Sequence, residues 1–493
     1  MSRKSSKTVK MGYGPPLTVT DVPEPPPLTA KNLAKWLGPS AIALGIAIGS
    51  GEWLIGPAVY VKYGLSMFWI CTISATLQTL MNIEYARYTI TTGEPISIGW
   101  MRLWPGPAFW AILTSVVGIL HVAWPGWAAA GATAITAAQL GRLPTAADKP
   151  LVLAWAAVTF IFCMFWLLVG AKVEATLEKV FWATVFIQVF ALLIVDILYV
   201  PPKRWIEGLI GFFNFGYIPK GASAMALGAL AGYAGLGGFY NTAISNYYRD
   251  KGYGMGAKVG YIPAVFFGGK KVTFSPVGVT FEPTKENLEK WRQWFKLVRI
   301  DQWLVFWLGA MIGMYLPGML YREYALRPLK GWAVAAVLAE GLAARFGTIA
   351  WTLTLAYSFF LLFDTQVGVV ETIVRQVTDM AWWGSERFRK WCKEDIRIPY
   401  YGVLALLWIW GLIVIATGWK RPLWLLWLGA NIANLAFVIS AIGTFFTNRK
   451  FLPDEVKPHP WRQVVLILAA IFFGFWYANW FKATFITPGK GFF

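Results

Sequence analysis

Long apolar runs recur along nearly the whole chain, and they constrain its fold more than any other feature. A helix crossing a bilayer needs roughly 20 mostly apolar residues, and runs of that length dominate the sequence between positions 37 and 481. Only 14% of residues are charged against 57% hydrophobic, and the charges cluster between the runs. A soluble protein carries about a quarter charged residues. The mean hydropathy is +0.52. The 29 Trp and 20 Tyr fit the same environment, because their amphipathic rings favour the membrane–water interface. The pattern predicts an all-α polytopic membrane protein with about eleven spans: 37–63, 65–88, 109–140, 151–170, 180–200, 222–247, 302–320, 348–370, 400–417, 422–446 and 464–481. The third is long and should kink at Pro125–Gly126. The eighth should continue as helix into Gln376.

The net charge of +19 flanks the apolar spans, so lipid headgroups and membrane orientation explain it and nucleic acid is not expected as a partner. Basic residues in the N-terminal tail and after even-numbered spans outnumber those opposite, which predicts a plasma-membrane protein with a cytoplasmic N-terminus. The cysteines Cys71, Cys163 and Cys392 form no CxxC pair, and His121 and His459 alone make no structural zinc site, so no cofactor is expected. Residues 1–36 are polar, contain Pro23, Pro25, Pro26 and Pro27, and read as a disordered or extended tail. Within the long loop 249–300, the stretch 272–280 alternates weakly and predicts a small hairpin. Thr284 then opens an amphipathic helix, 284–299. Leu288, Trp291, Phe295 and Val298 lie near one face, and Lys285, Lys290, Arg292, Lys296 and Arg299 lie around them. Such a helix lies flat on anionic lipid or packs on the loop or a partner.

Two spans carry glycine clusters at their centres. The first reads Ile48-Gly49-Ser50-Gly51-Glu52-Trp53 and the sixth Ala234-Gly235-Leu236-Gly237-Gly238-Phe239. Glycine weakens helix, and backbone freed inside a membrane must face protein or a wet cavity. Interruptions at corresponding places in two halves point to an inverted-repeat transporter. Residues 37–200 would form one five-span repeat and 201–446 the second, with 447–493 carrying an eleventh span. Close helix packing through small residues is the structural alternative. Glu52 favours a site, because an ionisable residue at a mid-membrane break is costly unless it functions.

These breaks lie in a frame that resembles the Nramp family of divalent-metal transporters, which share the leucine-transporter fold. Gly38-Pro39, Lys62-Tyr63-Gly64, Trp69, Ala86-Arg87 and Thr92-Gly93 follow the family's order and spacing, and Asn434-Leu435-Ala436-Phe437 resembles its Gln-Leu-Pro-Phe. The resemblance spans about Gly38 to Asn448, apart from the inserted loop. The functional motifs depart from it. Where the family has Asp-Pro-Gly-Asn, this chain has Gly49-Ser50-Gly51-Glu52; where the family has Met-Pro-His, it has Gly237, Gly238 and Phe239. The family's third-span acids, linked to proton transfer, align with His121 and Trp124. With the family Met absent, Glu52, carbonyls and Ser50 remain, and oxygen ligation implies a hard cation.

The expected cation site is therefore Gly49, Ser50, Glu52, Ala234, Gly237 and Asn434, with Glu52 the metal ligand. His121, Asp364 and Glu371 are candidates for proton or ion coupling. Each has a plainer reading: His121 as a packing residue, Asp364 and Glu371 as partners in interhelical pairs, Asn431 and Asn434 as interhelical hydrogen-bonders. Glu84 and Arg87 should pair at spacing i, i+3, and Asp196 should be interfacial. The leading function is a secondary cation transporter. A transporter of a small organic amine or cation and a non-transporting membrane subunit or receptor are the alternatives. No motif predicts an enzyme.

Overall fold

The computed structural model describes residues 7–168, 173–260, 275, 277–418 and 420–487. Among them, nine helical stretches are long and apolar enough to cross a membrane by length and composition. Their outer surfaces expose Ile112, Phe162, Ile187, Leu406 and Ile471, a pattern that only lipid satisfies. The chain is an integral membrane protein. Two further elements are less apolar and lie inside. One is Phe68–Thr92, which buries Ser74, Gln78, Asn82, Glu84 and Arg87. The other is the interrupted sixth span.

The helices that build the interior are α1 (Pro39–Ala47), α2 (Gly56–Tyr63), α3 (Phe68–Thr92), α4 (Pro107–Val122), α5 (Gly126–Leu140), α6 (Lys149–Leu168), α7 (Val173–Tyr199), α8 (Ala224–Tyr233) and α9 (Ala243–Lys251). They are followed by α10 (Lys285–Ile300), α11 (Leu308–Tyr324), α12 (Thr348–Gly384), α13 (Arg397–Thr417), α14 (Pro422–Phe451) and α15 (Pro460–Phe481). The first span is the broken pair α1 and α2, and the sixth is the broken pair α8 and α9. The third span breaks between α4 and α5, where Pro125 cannot donate a helical hydrogen bond, as the sequence predicts. The eighth span, α12, runs on beyond Gln376 to Gly384. Every residue of α1 is buried, so the first broken span lies in the middle of the bundle.

Two expectations are corrected. The described part of the tail is ordered: it is mostly extended up to Thr29 and then forms a short helix, Ala30–Trp36. Thr8–Val9 pairs antiparallel with Leu17–Val19, which pairs in parallel with Val279–Thr280 of the long loop. Met11, Leu17 and Val22 are buried. The Arg102 guanidinium, held by Glu94 at 2.6 Å, donates to the carbonyls of Met11, Tyr13 and Pro15. The Trp294 indole donates to the Pro23 carbonyl. The tail lacks its own core, and borrowed partners order it. The strand 279–280 therefore pairs with the tail and not within the loop; residues 272–274 and Pro276 of the expected hairpin lie outside the described residues.

The helix at 284–299 forms and is capped by the Thr284 hydroxyl, but it does not lie on lipid through its apolar face. It is α10, and it continues through a wide-wound turn, Asp301–Trp307, into the seventh span α11. Trp291, Trp294, Leu297 and Val298 are buried. The Trp294 ring packs 5.0 Å from Trp36 and 5.2 Å from Tyr253. Arg292, Lys296 and Arg299 remain exposed.

Candidate functional site

The first break is narrower than the sequence implies. Regular α-helix ends at Ala47, Ile48 leaves helical geometry, and winding resumes from Gly51 as a wide π-type turn, Gly51–Ile55. The sixth span unwinds over Ala234–Gly237, with Gly235 at φ +113° and Gly237 at φ +109°. The freed backbone is satisfied by side chains, as a lipid-enclosed break requires. Gln78 donates to the Ala234 carbonyl at 2.8 Å and accepts from the Leu236 amide at 2.9 Å. Asn241 accepts from the Gly237 amide at 2.8 Å and donates to Asn82. Sequence reasoning missed this support, although Ser74, Gln78 and Asn82 recur every four residues on one face of α3.

The two breaks touch. A Cβ placed on Gly51 would stand 2.2 Å from the Tyr233 carbonyl oxygen, and one on Gly49 would overlap the Thr365 hydroxyl. Glycine is required at both positions by close approach. At Gly237 it is required by conformation. Restoring the family's residue through Gly237→Met should therefore not rebuild a thioether site. The positive φ would strain any side chain, and the Tyr233 ring stands 2.6 Å from where a Cβ would be. Such a strained position costs about 1–3 kcal/mol, so the thermal midpoint of Gly237→Met should fall by several degrees, measured by unfolding in detergent.

Glu52 is fully buried just after the first break. One carboxylate oxygen accepts from the Gly49 amide at 3.4 Å, and the other has no partner. The Glu52 side chain faces α11, where a Cβ on Gly313 would stand 3.3 Å from its Cγ. Ser50 turns the opposite way and accepts from the Trp127 indole at 2.8 Å. Behind Trp127 lies an aromatic cluster. The His121 ring packs at a tilt 4.1 Å from Tyr240 and lies 5.7 Å from Tyr233, and neither of its nitrogens has a hydrogen-bond partner.

The other predicted residues scatter. Asn434 donates to the Gly228 carbonyl at 2.9 Å and Asn431 to the Met225 carbonyl, so both tie α14 to α8. Asp364 accepts from Gln188 of α7 at 3.3 Å. Asp196, expected at the interface, is buried. Glu84 and Arg87 do pair, at 2.7 Å, and Arg462 joins them. Glu371 belongs to a buried network that joins α12 to α9. It accepts from Tyr247 at 2.8 Å and pairs with Arg375. Arg375 pairs with Asp250, Asp250 with Arg249, and Arg249 with Asp379 at 2.9 Å.

Sequence reasoning also missed two sulfur atoms beside the break. The Tyr60 hydroxyl lies 3.0 Å from Cys71 Sγ and donates to Met314 Sδ at 3.5 Å. All three residues are buried. The oxygen-only ligand set inferred from Gly237 took no account of these sulfurs. The sulfurs come from α3 and α11, positions that comparison with the family's own ligands does not reach.

Among described residues, no three His, Cys, Asp or Glu side chains gather as a metal site. No family model matches the chain, and no curated protein matches its sequence. Solved structures do. A manganese transporter variant from Eremococcus coleocola superposes with a TM-score of 0.62 at 15% identity, covering 94% of this chain and 90% of that one. A second variant of that transporter gives 0.62 over 95% and 91%. The nucleobase-cation-symport-1 family transporter Mhp1, closed with bromovinylhydantoin bound, gives 0.50 at 12% identity over 92% and 94%. With its paired broken spans, this chain has the leucine-transporter-type fold of secondary transporters, in an arrangement similar to the Nramp-like structures.

Proposed function

We infer that this protein is a secondary active transporter that moves a cation past Glu52. One observation carries the reading: a wholly buried carboxylate, with an unpartnered oxygen, lies where two broken spans meet. Half-helix ends and freed carbonyls at such a junction recognise ions, and a buried charge without a partner is costly unless a ligand supplies one. The two breaks support reading residues 37–200 and 201–446 as inverted repeats. The distribution of Lys and Arg supports a plasma-membrane protein with its N-terminus in the cytoplasm. Of the three residues weighed for coupling, Glu371 has the strongest case, because its network joins α9 to α12. The clustered rings of Trp127, Tyr233 and Tyr240 favour an organic cation as the second reading.

The test is uptake into proteoliposomes against a panel of Mg²⁺, Ca²⁺, Mn²⁺, Zn²⁺, Na⁺ and methylammonium, with and without a pH gradient. At least one cation should accumulate in a Glu52-dependent manner, and the pH gradient should change its rate if a proton is the coupling ion. Flux of none of them, in a well-folded preparation, would favour the non-transporting subunit or receptor.

A further inference from the structure

The N-terminal tail is fastened at three places before it reaches α1. The first fastening is a hairpin. Its turn passes through Gly12 at φ +53° and Gly14 at φ +84°, values that favour glycine. A Cβ on Gly12 would stand 2.1 Å from the Arg102 carbonyl oxygen, and one on Gly14 would stand 2.3 Å from the Trp383 ring. Beneath the turn lies the buried Arg102 guanidinium, which holds three tail carbonyls and is itself held by Glu94. Glu94 also accepts from the Gly278 amide at 3.0 Å and from the Tyr88 hydroxyl at 2.9 Å. The hairpin therefore sits on the ends of α3 and α12 and on the long loop. The second fastening is on α10, where Asn287 accepts from the Val22 amide at 3.0 Å and Trp294 donates to the Pro23 carbonyl at 2.9 Å. The third is Trp36, whose carbonyl accepts from the Tyr253 hydroxyl at 2.6 Å. Between the second and the third run Pro25, Pro26 and Pro27, and proline runs make stiff, extended spacers.

Past Trp36 only Leu37 and Gly38 intervene before α1 begins at Pro39. The first turn of α1 is tied down in its turn. The Ser40 amide and hydroxyl donate to Asp301 at 3.1 and 2.6 Å, and Tyr248 of α9 donates to the same carboxylate oxygen at 2.6 Å. The other end of α1 is the break at Ile48, beside Glu52. A half-helix tied at one end and broken at the other has one way to move, a swing about the break. In the closed arrangement every residue of α1 is buried and Glu52 has no exposed surface. We propose that residues 7–36 form a strap that holds α1 closed over Glu52, so that the site opens toward the tail side when the strap lifts or slackens. The proposal rests on the transporter reading above and adds its regulation. The strap joins α1 to the ends of α3, α10 and α12, so a swing of α1 must stretch it or detach it. Strands of two and three residues make a marginal sheet by themselves. The strap is thus held by its seats and can lift without unfolding the bundle.

Hydrogen–deuterium exchange of the full chain in lipid nanodiscs is the test. The double variant Gly12→Ala, Gly14→Ala should unseat the hairpin. The double variant Pro26→Gly, Pro27→Gly should slacken the spacer and leave every fastening residue in place. In both, the amides of α1 should exchange about tenfold faster than in the parent, because exchange reports the free energy of local opening. The amides of α14 should keep the parent rate. Those of the hairpin should exchange faster in the glycine variant alone, which separates unseating from slackening. Exchange of α1 at the parent rate in the spacer variant would overturn the proposal, since the tail would then cover the surface without restraining α1. If the glycine variant loses protection in α14 as well, its bundle is damaged and the spacer variant decides. Glu52-dependent uptake in proteoliposomes, with α1 exchange unmoved by the spacer variant, would keep the transporter reading and remove the strap. Faster α1 exchange in a chain that moves no cation would keep the strap and remove the transporter reading.

Discussion

Glu52→Gln is expected to fold normally and to lose roughly a hundredfold in cation flux. The size follows from the geometry. Removing a buried charge from its partner costs about 2–5 kcal/mol, and about 3 kcal/mol is a hundredfold. The amide is nearly isosteric, and its oxygen can still accept from the Gly49 amide as Glu52 does at 3.4 Å. What it lacks is the negative charge and a second acceptor in place of the carboxylate oxygen that now has no partner. If Glu52 merely satisfied backbone freed by the break, the amide would serve as well, because the contact to Gly49 needs only a neutral acceptor. The support given by Gln78 and Asn241 at the other break shows that neutral amides suffice for that task in this protein. Proteoliposome uptake, normalised to protein that elutes as a single species, separates the two cases. Flux within twofold of the parent would take Glu52 out of the mechanism.

The fold was legible because bilayer thickness sets a length that apolar runs must match, and because glycine clusters mark where helix fails. The break positions at Gly49 and Gly235–Gly237 follow from that rule, as does the interruption before Gly126. The site was legible only where one residue betrays itself. Glu52 does so, since a lone acid between glycines has no ordinary explanation in lipid. Cys71 and Met314 do not, because each alone reads as core, and only packing places both on Tyr60. Asn434 misled for the complementary reason: an amide aligned with a family motif turns to the Gly228 carbonyl. The ordered tail was invisible because its partners, Arg102 and Asn287, lie far away in sequence. The amphipathic helix at 284–299 was legible as a helix, but its period could not say whether lipid or Trp36 and Tyr253 would cover it.

The buried network between α9 and α12 yields the other large effect. Arg249 and Arg375 face Asp250, Glu371 and Asp379, and all five are at most 5% exposed. Three acids against two guanidiniums leave one negative charge in excess. Arg375→Met would strand Glu371 and leave Asp250 to Arg249 alone, and breaking a buried pair in this way costs about 3–5 kcal/mol. Asp250→Asn breaks contacts to both guanidiniums but leaves two acids facing two arginines, and the Asn oxygen still accepts one hydrogen bond. Its cost should be nearer that of a lost buried hydrogen bond, about 1–3 kcal/mol. Arg375→Met should therefore be clearly the less stable variant in lipid nanodiscs, although each substitution removes one charged partner. Adding Glu371→Gln to Arg375→Met should recover part of the loss, since it removes a stranded charge. Equal losses in the two single variants would carry a different message. They would mean that one of the three acids already holds a proton, so that the network starts neutral. That proton would reside between α9 and α12, at the end of the broken sixth span, away from Glu52.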